Sequence, residues 1–260
     1  MSRDVFASLR EKGVGIIDVH AHVFLDDSLN IKLLRYMKIF SVERAYVSIY
    51  PFDLGSLNPS HDVVKKGNYK VKELCTRERS LRGMVFINPL NPHDVDLAEE
   101  LLREGFSGIG EVYRSTRLRG KVAEPVMRLA IEYGVPVLIH TAHRLYPRDR
   151  PRENTPLDIK ALAKRYPRAR IIMSHIAGGG DWEYALRIVR ETPNVYVDLG
   201  GSVQDFGIVE KAVAILGHDR LLFASDNLYA QAIGRIESSN VDEEVKIKIY
   251  RENALRVFRD

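Results

Sequence analysis

Cysteine is almost missing from the 260 residues: Cys75 is the only one. No disulfide can form within the chain, and a metal site made of cysteines alone is excluded; a reducing compartment suits such a chain. Glutamine is nearly as scarce, with only Gln204 and Gln231, while arginine, isoleucine and valine are abundant. That usage points towards a thermophilic source. No apolar run approaches the roughly 18 residues of a membrane span, and the opening MSRDVFASLREKG lacks an apolar stretch of signal-peptide length. The expectation is a cytoplasmic protein with no membrane contact. Charge of one sign is not concentrated either. The net charge of +4 is spread along the chain, so nucleic acid is not an expected partner. Linkers, low-complexity tracts and repeats are lacking, so residues 1–260 read as one domain.

Apolar residues make up 45% of the chain and charged residues 28%, and at this length one large core is sustainable. Short β-rich runs alternate with longer amphipathic ones. Strands are expected at 14–23, 42–50, 83–88, 108–113, 135–141, 170–175, 194–199 and 221–225. Most are nearly continuous in apolar residues, as in VPVLIH and RIIMSH, which suits strands covered by helices. Helices are expected at 61–80, 94–104, 122–133, 156–166, 181–191, 208–216 and 242–258. Thr155 and Pro156 form an N-cap and N1 pair, and Gly105, Gly134 and Gly217 close three of the others. The alternation predicts a parallel sheet closed into a (β/α)8 TIM barrel. The alternative, an open doubly wound sheet, brings a glycine-rich turn after its first strand, where this chain reads HAHVFLDD. The first thirteen residues are expected to form a short helix capping the barrel bottom.

Chemistry gathers at the strand ends. In Asp18-Val19-His20-Ala21-His22, strict alternation puts Asp18, His20 and His22 on one face, pointing into the barrel. Two imidazoles side by side make a pair of metal ligands, although an isolated HxH is more often a hydrogen-bonded core pair. This one is not isolated. Glu111 ends GIGEV, His140 ends VPVLIH, His175 ends IIMSH and Asp226 ends LLFASD. Barrel enzymes carry their catalytic groups at that end of the strands. Asp198, ending VYVD, reads as structural or functional with equal weight. Asp18 reads as a partner orienting a ligand imidazole or as a backbone anchor. Tyr113, Arg114, His143 and Arg144 lie on loops near the mouth. They either meet an anionic substrate such as a carboxylate or are solvated loop residues. Gly178, Gly179 and Gly180 either let backbone approach a substrate or form a flexible turn. His61, His93 and His218 read as surface residues.

After the HxH, the segments IHTAH, SHIAGG and FASDN follow in order. Together they resemble the amidohydrolase superfamily, and within it the branch of small barrels that includes hydrolases, lactonases and non-oxidative decarboxylases. The tail RENALRVF looks like the closing helix of that branch, and the similarity runs from Gly15 to Phe258. The resemblance implies that His20, His22, His140 and Asp226 hold a divalent metal, zinc first, with manganese or iron as alternatives. It implies an acid/base or polarising role for His175. Asp226 would join it in catalysis by accepting and passing on a proton. The chain departs from the branch in two places. Ala224-Ser225-Asp226 is followed by Asn227-Leu228, where the branch often has Gly-Ser-Asp before an aromatic residue and proline. No lysine ends the fourth strand, so a carbamylated-lysine bridge between two metals is not expected. Glu111 stands there, and Gly110-Glu111 also looks like the glutamate with which TatD-like deoxyribonucleases hold a second metal. Glu111 is therefore either a ligand or a partner of one.

The function implied first is hydrolysis of a small-molecule amide, ester or lactone by a water whose pKa the metal lowers, to roughly 7 for zinc. The alternatives are a metal-dependent non-oxidative decarboxylase of a small carboxylic acid, a TatD-like nuclease with two metals and a basic groove, and a barrel that keeps metal without catalysis. A homo-oligomer stays open.

Overall fold

A computed structural model describes residues 8–9, 11, 15–142, 152–178 and 181–259. Most of the expected cap helix, together with His143, Arg144, Gly179 and Gly180, lies outside them. Eight strands form one sheet in sequence order: β1 (Ile16–Val23), β2 (Val42–Ile49), β3 (Leu81–Val85), β4 (Gly108–Val112), β5 (Pro136–Ile139), β6 (Arg170–Met173), β7 (Val195–Asp198) and β8 (Leu221–Leu222). Each pairs in parallel with the next. Two backbone bonds carry the sheet from β8 back to β1: Val19 N donates to Phe223 O and Asp226 N to His20 O. The protein is a TIM barrel, as the alternation of patterns predicted.

The helices between the strands are α1 (Asp27–Ile39), α2 (His61–Arg77), α3 (Pro92–Arg103), α4 (Gly120–Glu132), α5 (Pro156–Arg165), α6 (Trp182–Val189), α7 (Ile208–Leu216) and α8 (Tyr229–Glu237). The chain closes with α9 (Glu243–Ile247), a π-helical turn over Lys248–Glu252, and α10 (Asn253–Phe258). Two helices, α1 and α8, escape the sequence pattern. Helix α1 buries only Asn30, Leu33 and Met37, and its outer side carries Ile31, Tyr36 and Ile39 in solvent, so its apolar stripe is blurred. Helix α8 is nine residues long with Gly234 inside it.

The barrel interior is filled in two levels. One level is apolar: Ile17, Val19, Tyr46, Met84, Leu138, Ile172, Leu222 and Ala224 pack together with Ala254, Val257 and Phe258 of α10. The Phe258 ring stacks on Tyr46 at 3.5 Å between centroids, so the C-terminal helix plugs the barrel. The other level is polar and begins where β1 changes phase. Asp18 pairs with Ala45 and Ala21 with Val47, so three steps along β1 match two along β2. One extra residue in a strand is a bulge, and it reverses which face later side chains take. Below it Ile17 and Val19 face inward and Asp18 outward. Above it His20 and His22 face inward, while Ala21 and Val23 join the outer core between sheet and helices. This corrects the expectation that Asp18 shares the face of the two histidines. Its carboxylate instead accepts from His20 N at 3.1 Å, Ser225 N at 3.0 Å and Ser225 Oγ at 2.6 Å, anchoring β1 to the segment after β8. Burial in that outer position pushes its pKa up to about 6.

Candidate metal centre

Both histidines of the HxH are fixed by their outer ring nitrogens. His20 Nδ1 lies 3.0 Å from Asp198 Oδ2 on β7, and His22 Nδ1 lies 3.2 Å from Ser48 Oγ on β2. Neighbours of this kind set the tautomer and ring orientation of a metal-binding imidazole. They turn the two Nε2 atoms towards each other at 3.1 Å and towards Glu111 Oε2, at 3.7 and 3.8 Å. The other oxygen of Glu111 faces His140 Nδ1 at 3.0 Å and His175 Nε2 at 3.2 Å. Glu111 thus stands between four imidazoles. Gly110 lets it reach that place: with φ at 137° and a Cβ position only 2.4 Å from Leu138 O, residue 110 has no room for a side chain.

Asp226 closes the ring. Its Oδ1 lies 3.3 Å from His22 Nε2 and its Oδ2 3.6 Å from His175 Nδ1. His175 and Asp226 both have left-handed backbone, φ 57° and 48°, a conformation that costs side-chain-bearing residues of order 1–3 kcal/mol and clusters at functional sites. Asp198 Oδ1 accepts from His175 N at 2.8 Å, so Asp198 braces both His20 and His175. The six residues proposed from sequence as metal or catalytic groups therefore meet in one place: five of them form the overlapping groups His20/His22/Glu111 and Glu111/His140/His175, Asp198 joins His20 and His175 in a third, and Asp226 adjoins through His22 and His175.

The charge balance suits a cation. Burial works against a charge on His20, but Glu111 and Asp198 outweigh it and hold its pKa well above the usual imidazole value. Burial opposes a charge on His140 in the same way, and Glu111 again prevails to raise it. Glu111 itself is held well below the usual carboxylate range by His20 and His140, against its burial. Asp226 is likewise lowered, its burial overcome by His22 and His175. Ionised carboxylates that favour the charged form of buried imidazoles mark a place where a divalent ion can replace protons. The donor set of imidazole nitrogens and carboxylate oxygens fits zinc, manganese or iron.

Above these residues lies a cavity of about 790 Å³. One wall is aromatic: Tyr50 sits 5.6 Å from the His22 ring, Phe52 follows at 5.3 Å from Tyr50, and Tyr113 lies 5.9 Å from Phe52 and 4.6 Å from His140. Arg114 lines the cavity too and pairs with the buried Glu153 at 3.1 Å. It is the one lysine or arginine among the described lining residues. Sequence reading missed Tyr50, Phe52, Ser48 and Glu153. Tyr50 and Ser48 carried a signal, a polar group at or near the end of an apolar run. Glu153, in a loop among charged residues, carried none. Of the histidines read as surface, His93 is exposed, but His61 and His218 are half-buried, the first 2.6 Å from Asp94.

The sequence profile described as Amidohydrolase matches residues 17–259. The chain belongs to the amidohydrolase family. No curated protein matches its sequence. Among solved structures, a dihydroxybenzoic acid decarboxylase from a Polaromonas species, with bound manganese and 2-nitroresorcinol, is similar at a TM-score of 0.74 and 16% identity, over 94% of this chain and 97% of that one. The 2,6-dihydroxybenzoate decarboxylase from Rhizobium is similar at 0.70 and 17%, over 94% and 98%. The 5-carboxyvanillate decarboxylase from Novosphingobium aromaticivorans, complexed with manganese, is similar at 0.70 and 15%, over 96% and 97%. At these identities the amidohydrolase barrel is what is shared. No helix among the described residues is long and apolar enough to cross a membrane.

Proposed function

We propose that this amidohydrolase-family chain is a metal-dependent non-oxidative decarboxylase of a small aromatic or unsaturated carboxylic acid. The observation that carries the reading is a His/carboxylate cluster on the floor of a cavity whose side wall is built of Tyr50, Phe52 and Tyr113 rings. A planar, conjugated acid can lie against such a wall with its polar end at the cluster. The likeness to three decarboxylase structures supports the same reading. It ranks decarboxylation above the hydrolysis expected first from sequence, which would use the same residues.

His20, His22, Glu111, His140 and Asp226 hold the divalent ion, with manganese now on an equal footing with zinc. The ion, when bound, supplies a Lewis acid that polarises and fixes the acid's oxygens. The remaining work belongs to side chains. The aromatic wall orients the ring and keeps water from its face. Decarboxylation breaks the bond between ring carbon and carboxyl carbon and leaves the electron pair on the ring carbon, which must take a proton. His175 is placed to deliver it, and the ionised Asp226, 3.6 Å from its Nδ1, steadies the imidazole while it carries that proton.

The test is carbon dioxide release from a panel of hydroxybenzoic and related acids by protein loaded with manganese or zinc. Metal-dependent release of carbon dioxide is expected. Hydrolysis of esters, amides or lactones with no release from any acid would sink the proposal and restore the hydrolase.

A further inference from the structure

The loop after β7 forms the cavity wall through Gly201 and Ser202, and its outer side is gripped by α8. The Arg235 guanidinium donates to four carbonyls of this loop: Leu199 and Val203 by short contacts, Gly200 at 3.2 Å and Gly201 at 2.9 Å. Gln231 Nε2 adds a bond to Gly201 O at 3.0 Å. These peptides are trans, and a planar trans peptide points its N–H opposite to its C=O. Carbonyls pulled outward to the helix therefore turn the following N–H groups inward. The first shows the direction: with Leu199 O on Arg235, Gly200 N donates at 2.9 Å to Asp198 Oδ1, the oxygen that also takes His175 N, so it turns away from α8 and towards the histidine cluster. The next two, of Gly201 and Ser202, lie along the same strip. Gly201 has φ of 71°, and a Cβ there would stand 2.9 Å from His175 Nδ1, so the strip touches the proposed proton donor. Successive N–H groups turned to one side around a left-handed residue form an anion-binding concavity. Behind them Arg235 brings a guanidinium whose partners are carbonyls.

We propose that the N–H groups of Gly201 and Ser202 form a nest that binds the carboxylate of the substrate beside His175, with Arg235 and Gln231 as its positioning residues. The inference rests on the reading of the cavity as a carboxylic acid site, and it adds the wall opposite the aromatic rings to that site. Carboxylate recognition by backbone accounts for a strip where Gly201 leaves no space for a side chain.

The probe is benzoate, titrated into ¹⁵N-labelled, zinc-loaded protein and followed by amide resonances. The Gly201 and Ser202 amides should shift saturably. Ser202→Ala keeps the N–H and should bind benzoate within about twofold of wild type. Ser202→Pro removes the N–H and should weaken binding about tenfold or more, the scale of a hydrogen bond to a charged group. Arg235→Ala should weaken binding, and added guanidinium ion should restore part of it, which a merely structural role for the side chain would not produce. Should Ser202→Pro fail to fold, the amide shifts in wild type and Ser202→Ala decide. Benzoate bound with both amides unmoved, or held by folded Ser202→Pro as by wild type, overturns the nest. Carbon dioxide release is read separately: release with a silent nest removes only this inference, and a filled nest without release removes only the decarboxylase reading.

Discussion

Glu111 has one carboxylate and four imidazole neighbours, so small changes at this residue act on the whole cluster. Glu111→Gln keeps the shape and deletes the charge; metal affinity, measured by titrating metal-free protein, should fall about 10–100-fold. An unchanged affinity would remove Glu111 from the centre. Ala at both His20 and His22 should leave no metal detectable by elemental analysis, and full retention would refute the proposed ligand set. His175→Asn separates two roles on one sample: turnover should drop by roughly 10²–10⁴-fold while metal content stays near wild type. Unchanged turnover would make His175 structural, and lost metal would make it a ligand. His20 and His22 were legible as two imidazoles spaced for one strand face, and Glu111, His140, His175 and Asp226 because each ends an apolar strand run, a position with few structural reasons to be polar. Glu153 and the backbone of Gly201 and Ser202 were not legible. A buried carboxylate in a charged loop looks like its solvated neighbours, and an N–H group has no letter in the sequence.

Elements matter here mainly for how they hold the loops around the cavity. The N-terminus of α5 is a capping box in which Thr155 and Asp158 bind each other's backbone. The Asp158 carboxylate also takes Arg117 Nε at 2.9 Å and pairs with Arg119, tying the loop after β4, which carries Arg114, to the loop that carries Glu153. Burial alone would raise the Asp158 pKa; the Thr155 backbone bond and the two arginines overcome it and lower it. A lowered carboxylate contributes stability that is complete above its unfolded pKa, near 4, and disappears as pH falls through the native value. Asp158→Asn should therefore melt earlier than wild type at pH 7, by the equivalent of about 1–2 kcal/mol, and the gap should close below pH 4. A gap that persists at low pH would show that the carboxylate's charge is not what matters. Helix α8 had a readable stripe, Tyr229, Ala232, Ile233 and Ile236, yet its shortness and central glycine hid it. It is also the helix that carries Gln231 and Arg235.

At the scale of the molecule, closure depends on the C-terminal helix as well as the sheet. Strand β8 is only two residues long, and α10 packs beneath it. Phe258→Ala removes the ring stacked on Tyr46 and should cost about 3 kcal/mol, read as a fall in Tm of several degrees; an unshifted Tm would mean the plug carries no weight. The eight strands were legible because strands buried on both faces write themselves as apolar runs. The phase of β1 was not, since a bulge leaves the letters unchanged and moves only their partners. That single extra residue divides the barrel into two compartments with independent grammars. Below it, β1 spells an apolar plug in odd positions; above it, the even positions face inward. The reactive end can therefore be rewritten by substitution without disturbing the packing that closes the fold. The reverse also holds: the same residues of β1 paired in unbroken alternation, without the bulge, would keep every ligand in the sequence and point both histidines at the surrounding helices, a loss of metal that a list of residues would not foretell.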